Sequence, residues 1–317
     1  MKNVIIGGMG AYIAVDVGGT QIRVAVFPQE GIEPLRQKKI LTFHKNDAPE
    51  LRIIDLIAEL WPANEKVLGI GVAAPGPLDP KAGVIVMAPN IPAWTNLPLR
   101  ELIHQRFGAP VTLGNDANLA AVGEWKFGAG RGHENLIYLT ISTGIGGGVI
   151  CDGRLLLGQS GFAAELGHVT LLPDGPLCSC GQPGHLEAIS SGTGIANFVT
   201  AELAKGVPSS LAPDPYPSAR DITLAAQKGD ALAMAALNRA GKYLGLGLAN
   251  FLQIFNPSII ILGGGVSQSG DLLLKPMKAS LNERVMGPEY LTNLTITLAQ
   301  LGDMAGLLGA LALAREL

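Results

Sequence analysis

Charge is scarce in this chain of 317 residues: Asp, Glu, Lys and Arg make up 15%, hydrophobic residues 48%, and the net charge is −3. A chain without a basic excess has no electrostatic footprint for nucleic acid, so no nucleic-acid partner is expected. Long apolar runs are missing too. The C-terminal run at 304–314 falls short of the roughly 18 residues that a spanning helix needs. Residues 1–10, with one Lys, hold no apolar stretch long enough for a secretory signal. No membrane partner is expected, and a soluble cytoplasmic protein is the default. Cysteine is sparse: three Cys cannot all pair internally, and Cys178-Ser179-Cys180 is spaced for metal ligation better than for a structural disulfide. Low-complexity segments and short-period repeats are absent, which excludes solenoids.

Glycine, by contrast, is plentiful at 42 residues, as in a compact α/β chain with many tight turns. Length predicts about two domains of about 100–200 residues each. The most informative segment is Asp16-Val17-Gly18-Gly19-Thr20, which lies between the apolar runs 11–15 and 22–27. Two β-branched-rich runs around a Gly-Gly turn read as a hairpin whose bare N–H groups can approach a polyphosphate while Asp16 faces its metal. A second such hairpin follows. The run 136–141 enters Ser142-Thr143-Gly144-Ile145-Gly146-Gly147-Gly148 and leaves through Val149-Ile150. The repetition suggests a nucleotide held between two related domains.

Periodicity fills in the rest. Strands are expected at 39–43, 67–72, 111–113 and 259–262, and helices at 48–60, 99–107, 117–127, 194–204, 219–227, 231–255 and 304–315. The last helix is expected to return to the first domain. The domains are therefore expected at 1–116 plus about 303–317, a smaller α/β unit, and at 117–302, a larger one holding the Cys-rich segment. Residues 208–217, rich in Pro, read as a surface connection.

Two further constellations carry chemistry. Gly114-Asn115-Asp116-Ala117-Asn118 sits where a buried strand ends and a helix begins, the place where open α/β sheets present residues to a crevice. Asp116 there suits a general base that accepts the proton of a hydroxyl attacking a phosphoryl group. Asn115 or Asp116 equally suits an N-cap, and the two roles are compatible. Farther on, His168 stands ten residues before Cys178 and His185 five residues after Cys180. Two Cys and two His can close a tetrahedron of the structural zinc type, which leaves no open position and would clip the irregular segment that carries Glu165 and Glu187. The bland alternative is an isolated Cys-x-Cys beside two ordinary His.

These motifs, with Pro89-Asn90-Ile91-Pro92-Ala93-Trp94 and Glu165-Leu166-Gly167-His168, occur in an order that covers essentially the whole chain. Together they resemble the ROK family of bacterial and archaeal sugar kinases. The resemblance implies an actin-like, ribonuclease-H-like fold: two α/β domains with mixed sheets flanked by helices and an active-site cleft between the domains. It implies ATP with Mg2+ and a hexose as ligands, a structural Zn2+, and a homodimer or homotetramer. Carried over residue by residue, Asp116 is the base, and Asn90, Asn115, Asp116, Glu165, His168 and Glu187 contact the sugar. Asp16, Gly18, Gly19, Thr20, Thr143, Gly144, Gly146 and Gly147 serve the phosphates and Mg2+. Gly263 and Gly264 lie in the loop on the adenosine side, which also reads as a plain strand-to-helix turn. His168, Cys178, Cys180 and His185 hold the zinc, with His168 offering its other nitrogen to the sugar.

The chain departs from the family pattern twice. His185 stands where the metal segment usually ends in Cys, and Ala164 replaces the Gly that many hexokinase-type members carry before the sugar-binding Glu. The leading expectation is phosphorylation of glucose to glucose 6-phosphate, because Glu165 and Glu187 suit hexose hydroxyls. N-acetylglucosamine, N-acetylmannosamine, mannose and fructose are alternative acceptors, and polyphosphate is a secondary alternative donor. The rival class is a sugar-responsive regulator, which in this family carries a helix-turn-helix module ahead of the Asp-Gly-Gly motif. Only fifteen residues precede Asp16, so a kinase is expected instead. A non-catalytic sugar-binding module is disfavoured because Asp16 and Asp116 are both present. Hinged closure, which keeps water from the γ-phosphate, is expected of a kinase.

Overall fold

A computed structural model describes residues 10–44 and 47–317; the reading of residues 1–9 lies outside the described residues. Strands β1 (Gly10–Val17) and β2 (Gln21–Pro28) form the expected antiparallel hairpin, with Asp16 opposite Arg23. Ile13, Val15, Ile22 and Val24 on one face and Ala14, Ala25 and Phe27 on the other are fully buried, as befits strands covered on both faces. Strand β3 (Arg36–Leu41) adds antiparallel to β2. It ends short of the expected 39–43 because Thr42 leaves the ladder: its N–H bonds Thr20 O at 2.9 Å and its hydroxyl donates to Gly18 O at 2.6 Å.

Helix α1 (Pro49–Leu60) leads to β4 (Lys66–Ala74), which runs parallel to β1. Short strands β5 (Leu78–Asp79), β6 (Val84–Met87) and β7 (Thr95–Leu97) then build a separate three-stranded sheet. Runs of two to four residues are too short to show a period-2 signal, so sequence reading missed them. Helix α2 (Leu99–Phe107), β8 (Val111–Asn115) and α3 (Asp116–Phe127) follow. The first five-stranded sheet has the order β3-β2-β1-β4-β8, with β8 parallel to β4.

The second sheet repeats that plan. Strands β9 (Leu136–Ile141) and β10 (Ile145–Cys151) are the expected hairpin, followed by β11 (Arg154–Leu155). Helices α4 (Leu186–Ser190), α5 (Gly192–Ala204), α6 (Ala219–Gln227) and α7 (Ala231–Phe255) precede β12 (Ile259–Gly263). Helices α8 (Asp271–Arg284) and α9 (Glu289–Thr292) precede β13 (Thr295–Leu298), and α10 (Ala305–Ala314) closes the chain. The order is β11-β10-β9-β12-β13, with β9 antiparallel to β10 and parallel to β12, and β12 parallel to β13.

Two compact units result: residues 1–131, 155–163 and 300–317, and residues 132–154 and 164–299. The boundary drawn from sequence at 116 differs from this partition, because α3 packs along α10, which also covers β1 and β4. The backbones of α3 and α10 approach so closely that a Cβ on Gly309 would meet Leu119 O at 1.7 Å. Helix α10 is apolar all round and accordingly buried, with Leu307, Leu308, Ala310 and Leu311 nearly inaccessible. Among the described residues no helix is long and apolar enough to cross a membrane.

Candidate active site

In the first unit the β1–β2 turn is closed by Gly18 N–H bonding Gln21 O at 2.9 Å. Gly19 lies against Asn90: a Cβ there would sit 2.9 Å from Asn90 Cβ. The Gly-Gly turn and one predicted sugar contact are thus neighbours, and only glycine lets them be. Asp16, at the end of β1, faces the first turn of α10, where a Cβ on Gly306 would lie 3.0 Å from Asp16 Oδ1. Burial pushes its carboxyl up from 3.8 to about 6, opposed by the Arg23 guanidinium and reinforced by Asp303. Arg23 donates to both the backbone oxygen of Asp303 and its carboxylate, the latter at 3.0 Å.

Asn115 and Asp116 stand at the β8–α3 junction. Asn115 Oδ1 accepts the Asn118 N–H at 3.1 Å and so caps α3. Asp116 is the first helical residue, and its Oδ1 accepts the Ala117 N–H at 2.8 Å. The cap reading therefore falls to Asn115. Asp116 keeps a carboxylate oriented by a backbone amide at the carboxyl end of a parallel strand.

In the second unit the β9–β10 turn is closed by Ser142 N–H bonding Gly144 O at 2.9 Å. It is also tied to the start of α5, where the N–H groups of Gly192 and Thr193 bond Ser142 O and Thr143 O at 2.7 and 3.2 Å. Glu187 on α4 reaches the same turn: its Oε2 accepts the Ile145 N–H at 2.9 Å and would lie 2.4 Å from a Cβ on Gly144. Gly146 and Gly147 lie in β10, and Gly147 backs onto Leu166. Glu165 opens the 3-10 turn Leu166–His168. Burial raises its carboxyl, with His168 opposing and Glu187 adding to the rise. Ala164, just before it, has φ 66°, the left-handed region that glycine enters without cost.

His168, Cys178, Cys180 and His185 offer ligand atoms that all lie within 4.8 Å of one another. His168 Nδ1 is 3.6 Å from Cys178 Sγ, and His185 Nδ1 is 3.3 Å from Cys180 Sγ. A tetrahedral zinc with bonds of about 2.0–2.3 Å separates its ligand atoms by about 3.3–3.8 Å, so the donor set fits. Burial holds the His185 imidazole toward its neutral form, the form that ligates. Burial also pushes the Cys178 thiol up to about 11, so a thiolate there needs a cation beside it. Backbone bonds within the segment, among them Cys178 N–H to Gln182 O at 2.9 Å and Gly184 N–H to Pro176 O at 2.8 Å, fold it into an irregular loop.

A cavity of about 560 Å³ opens in the second unit beside Thr143 and Thr193. Ala196, Tyr216, Leu224 and Val266 give it apolar walls, while Ser218, Arg220, Thr223 and Gln268 supply polar groups. Mostly apolar walls with a few polar groups are what a flat heterocycle with a polar sugar requires. Gly265 lines it, whereas Gly263 and Gly264 lie behind: Gly264, at φ 82°, is pressed against the end of β9, with Ile141 O 2.3 Å from where its Cβ would be. Tyr216 and Arg220 had no local motif. Tyr216 lies in the Pro-rich connection, and its hydroxyl is held by Asn197 Oδ1 at 2.5 Å.

Two units with sheets of one order, each opening on a hairpin with a Gly-containing turn, define the actin-like ATPase fold. The ROK family model matches residues 12–317, and the chain belongs to the ROK family. It is 37% identical to a glucokinase of Streptomyces coelicolor over 326 aligned positions, covering 97% of this chain and 98% of that one. A crystal structure of a ROK family glucokinase from Streptomyces griseus in complex with glucose and AMPPNP is 36% identical, with a TM-score of 0.80 over 98% of this chain and 100% of that chain. A ROK family transcriptional regulator, a homolog of the E. coli MLC protein, is 30% identical with a TM-score of 0.86, covering 98% of this chain and 78% of that one.

Proposed function

We propose that this chain transfers the γ-phosphoryl group of ATP to the 6-hydroxyl of a hexose, with glucose the preferred acceptor. The observation that carries this reading is its likeness, over nearly the whole of both chains, to the glucokinase crystallised with glucose and AMPPNP. Asp116 takes the proton of the 6-hydroxyl as that oxygen attacks the γ-phosphorus. The new P–O bond forms as the bond to the β-phosphate oxygen breaks, and ADP leaves. Asn90, Asn115, Glu165, His168 and Glu187 hold the sugar, and the carboxylates accept its hydroxyl protons. The turns at Gly18, Gly19 and Thr20 and at Thr143 and Gly144 cradle phosphates, with Gly146 and Gly147 behind the second.

Asp16 would help hold Mg2+, which spreads the charge of the phosphates when bound. The cavity beside Thr143 takes the nucleoside. His168, Cys178, Cys180 and His185 would hold a structural zinc that stiffens the segment between Glu165 and Glu187. An ATP-dependent reaction also suits a cytoplasmic location, where that nucleotide is made and used. A regulator is the second reading, favoured by the TM-score of 0.86 to a family regulator. A coupled phosphotransfer assay with Mg-ATP across glucose, mannose, fructose, N-acetylglucosamine and N-acetylmannosamine separates the two. Turnover led by glucose supports the proposal, and sugar binding without turnover of any of them supports the regulator.

A further inference from the structure

The Cys-rich segment and the β9–β10 turn are joined through one side chain. Glu187 spans them, with Oε2 on the Ile145 N–H at 2.9 Å and Oε1 on the Ser179 hydroxyl at 2.8 Å. Cys178 Sγ also points its proton at Oε1 from 3.3 Å. These three donors do not survive metal loading alike. A cysteine that ligates a metal is a thiolate, so the Cys178 proton is lost and the sulfur becomes a poor neighbour for a carboxylate oxygen. The Ser179 hydroxyl then remains to hold Oε1 in place. Its direction is set by the two flanking residues, since Cys178 and Cys180 both turn toward the metal cluster. A carboxylate oxygen has room for about two hydrogen bonds. Ser179 fills one, and the second stays available to a ligand.

We infer that Ser179 is a positioning residue for sugar binding: it fixes Glu187 Oε1 and so transmits the shape of the metal-held segment to the sugar. The inference rests on the proposal that Glu187 contacts the sugar. It gives the residue between the two cysteines a task distinct from spacing them.

The test uses the full-length, zinc-loaded protein and its Ser179→Ala and Ser179→Thr variants. Glucose affinity is measured calorimetrically without nucleotide, zinc per chain by mass spectrometry, and KM for glucose and for ATP by steady-state kinetics. Ser179→Ala is expected to weaken glucose binding about tenfold, in line with a lost charge-assisted hydrogen bond, with zinc content kept and KM for ATP within about twofold. Ser179→Thr, which keeps the hydroxyl, restores affinity. Wild-type glucose affinity in Ser179→Ala overturns the inference, and so does loss of zinc along with sugar binding, which would make the residue part of the metal fold. A wild-type protein that binds none of the hexoses overturns the sugar reading itself and this inference with it.

Discussion

The carboxylate of Glu124 accepts the backbone N–H of Leu301 at 2.7 Å, across 177 positions of sequence. Its other oxygen takes the Ala129 N–H at 2.9 Å, and the side chain is completely buried. One side chain thereby ties the end of α3 to the residues that lead into α10. A Cβ on Gly128 would strike Glu124 Oε2 at 2.1 Å, so the neighbouring glycine makes room for it.

Glu124→Gln keeps the shape and breaks the chemistry. An amide has one acceptor oxygen, so its NH2 group would face a backbone N–H and leave that donor unpaired. The cost is expected at about 3 kcal/mol, read as a lower urea midpoint with unchanged slope. An unaltered midpoint would show that water or a local shift replaces the bond.

Ala164 is the reverse case, a residue held in a backbone conformation that favours glycine. Its φ of 66° costs an L-residue about 1–2 kcal/mol, and glycine nothing. Ala164→Gly should therefore stabilise the protein by up to about 1 kcal/mol after the added freedom of the unfolded chain is counted. Thermal unfolding checks this, and a lower midpoint would mean that the methyl group makes contacts worth more than the strain.

Much of this was legible because the hairpins β1–β2 and β9–β10 are apolar, β-branched-rich runs around Gly-containing turns, and because α7 carries its apolar residues at helical spacing over 25 residues. Helix α8 was missed although Leu273, Met277 and Leu281 are buried at four-residue spacing. Pro276 inside it interrupts that spacing with a residue that helix interiors disfavour. Site residues carried by glycine turns and strand ends had local signals. Tyr216 and Arg220 had none: Tyr216 reaches the cavity from the Pro-rich connection and Arg220 from the first turn of α6, and neither position belongs to a motif. Ser179 had no local signal, because its partner, Glu187, lies on another element.

Asp16 ties stability to pH. Its folded carboxyl titrates near 6 and its ordinary value is 3.8, so the folded metal-free protein holds an extra proton between about pH 4 and 6. The Asp16 contribution to stability is fully present below that window and is lost as pH rises through it, by up to about 3 kcal/mol. Asp16→Asn, studied in chelator, should equal the wild type near pH 4 and exceed it at pH 7.5, while losing Mg2+-dependent turnover. A variant less stable than wild type at pH 7.5 would contradict the burial argument.

The metal proposal predicts one zinc per chain in the purified protein. Cys180→Ala should abolish that stoichiometry and lower the unfolding temperature, and Cys151→Ala, outside the cluster, should leave the zinc in place. Full zinc content in Cys180→Ala would remove the four-ligand assignment.

The central claim is that Asp116 is the base of a sugar kinase, and its most direct test is Asp116→Asn assayed with glucose and Mg-ATP beside a calorimetric glucose titration. The account predicts a fall in turnover of about 10²–10⁴-fold with glucose affinity changed by no more than about twofold. An Asp116→Asn protein that phosphorylates glucose at near wild-type rate would contradict it.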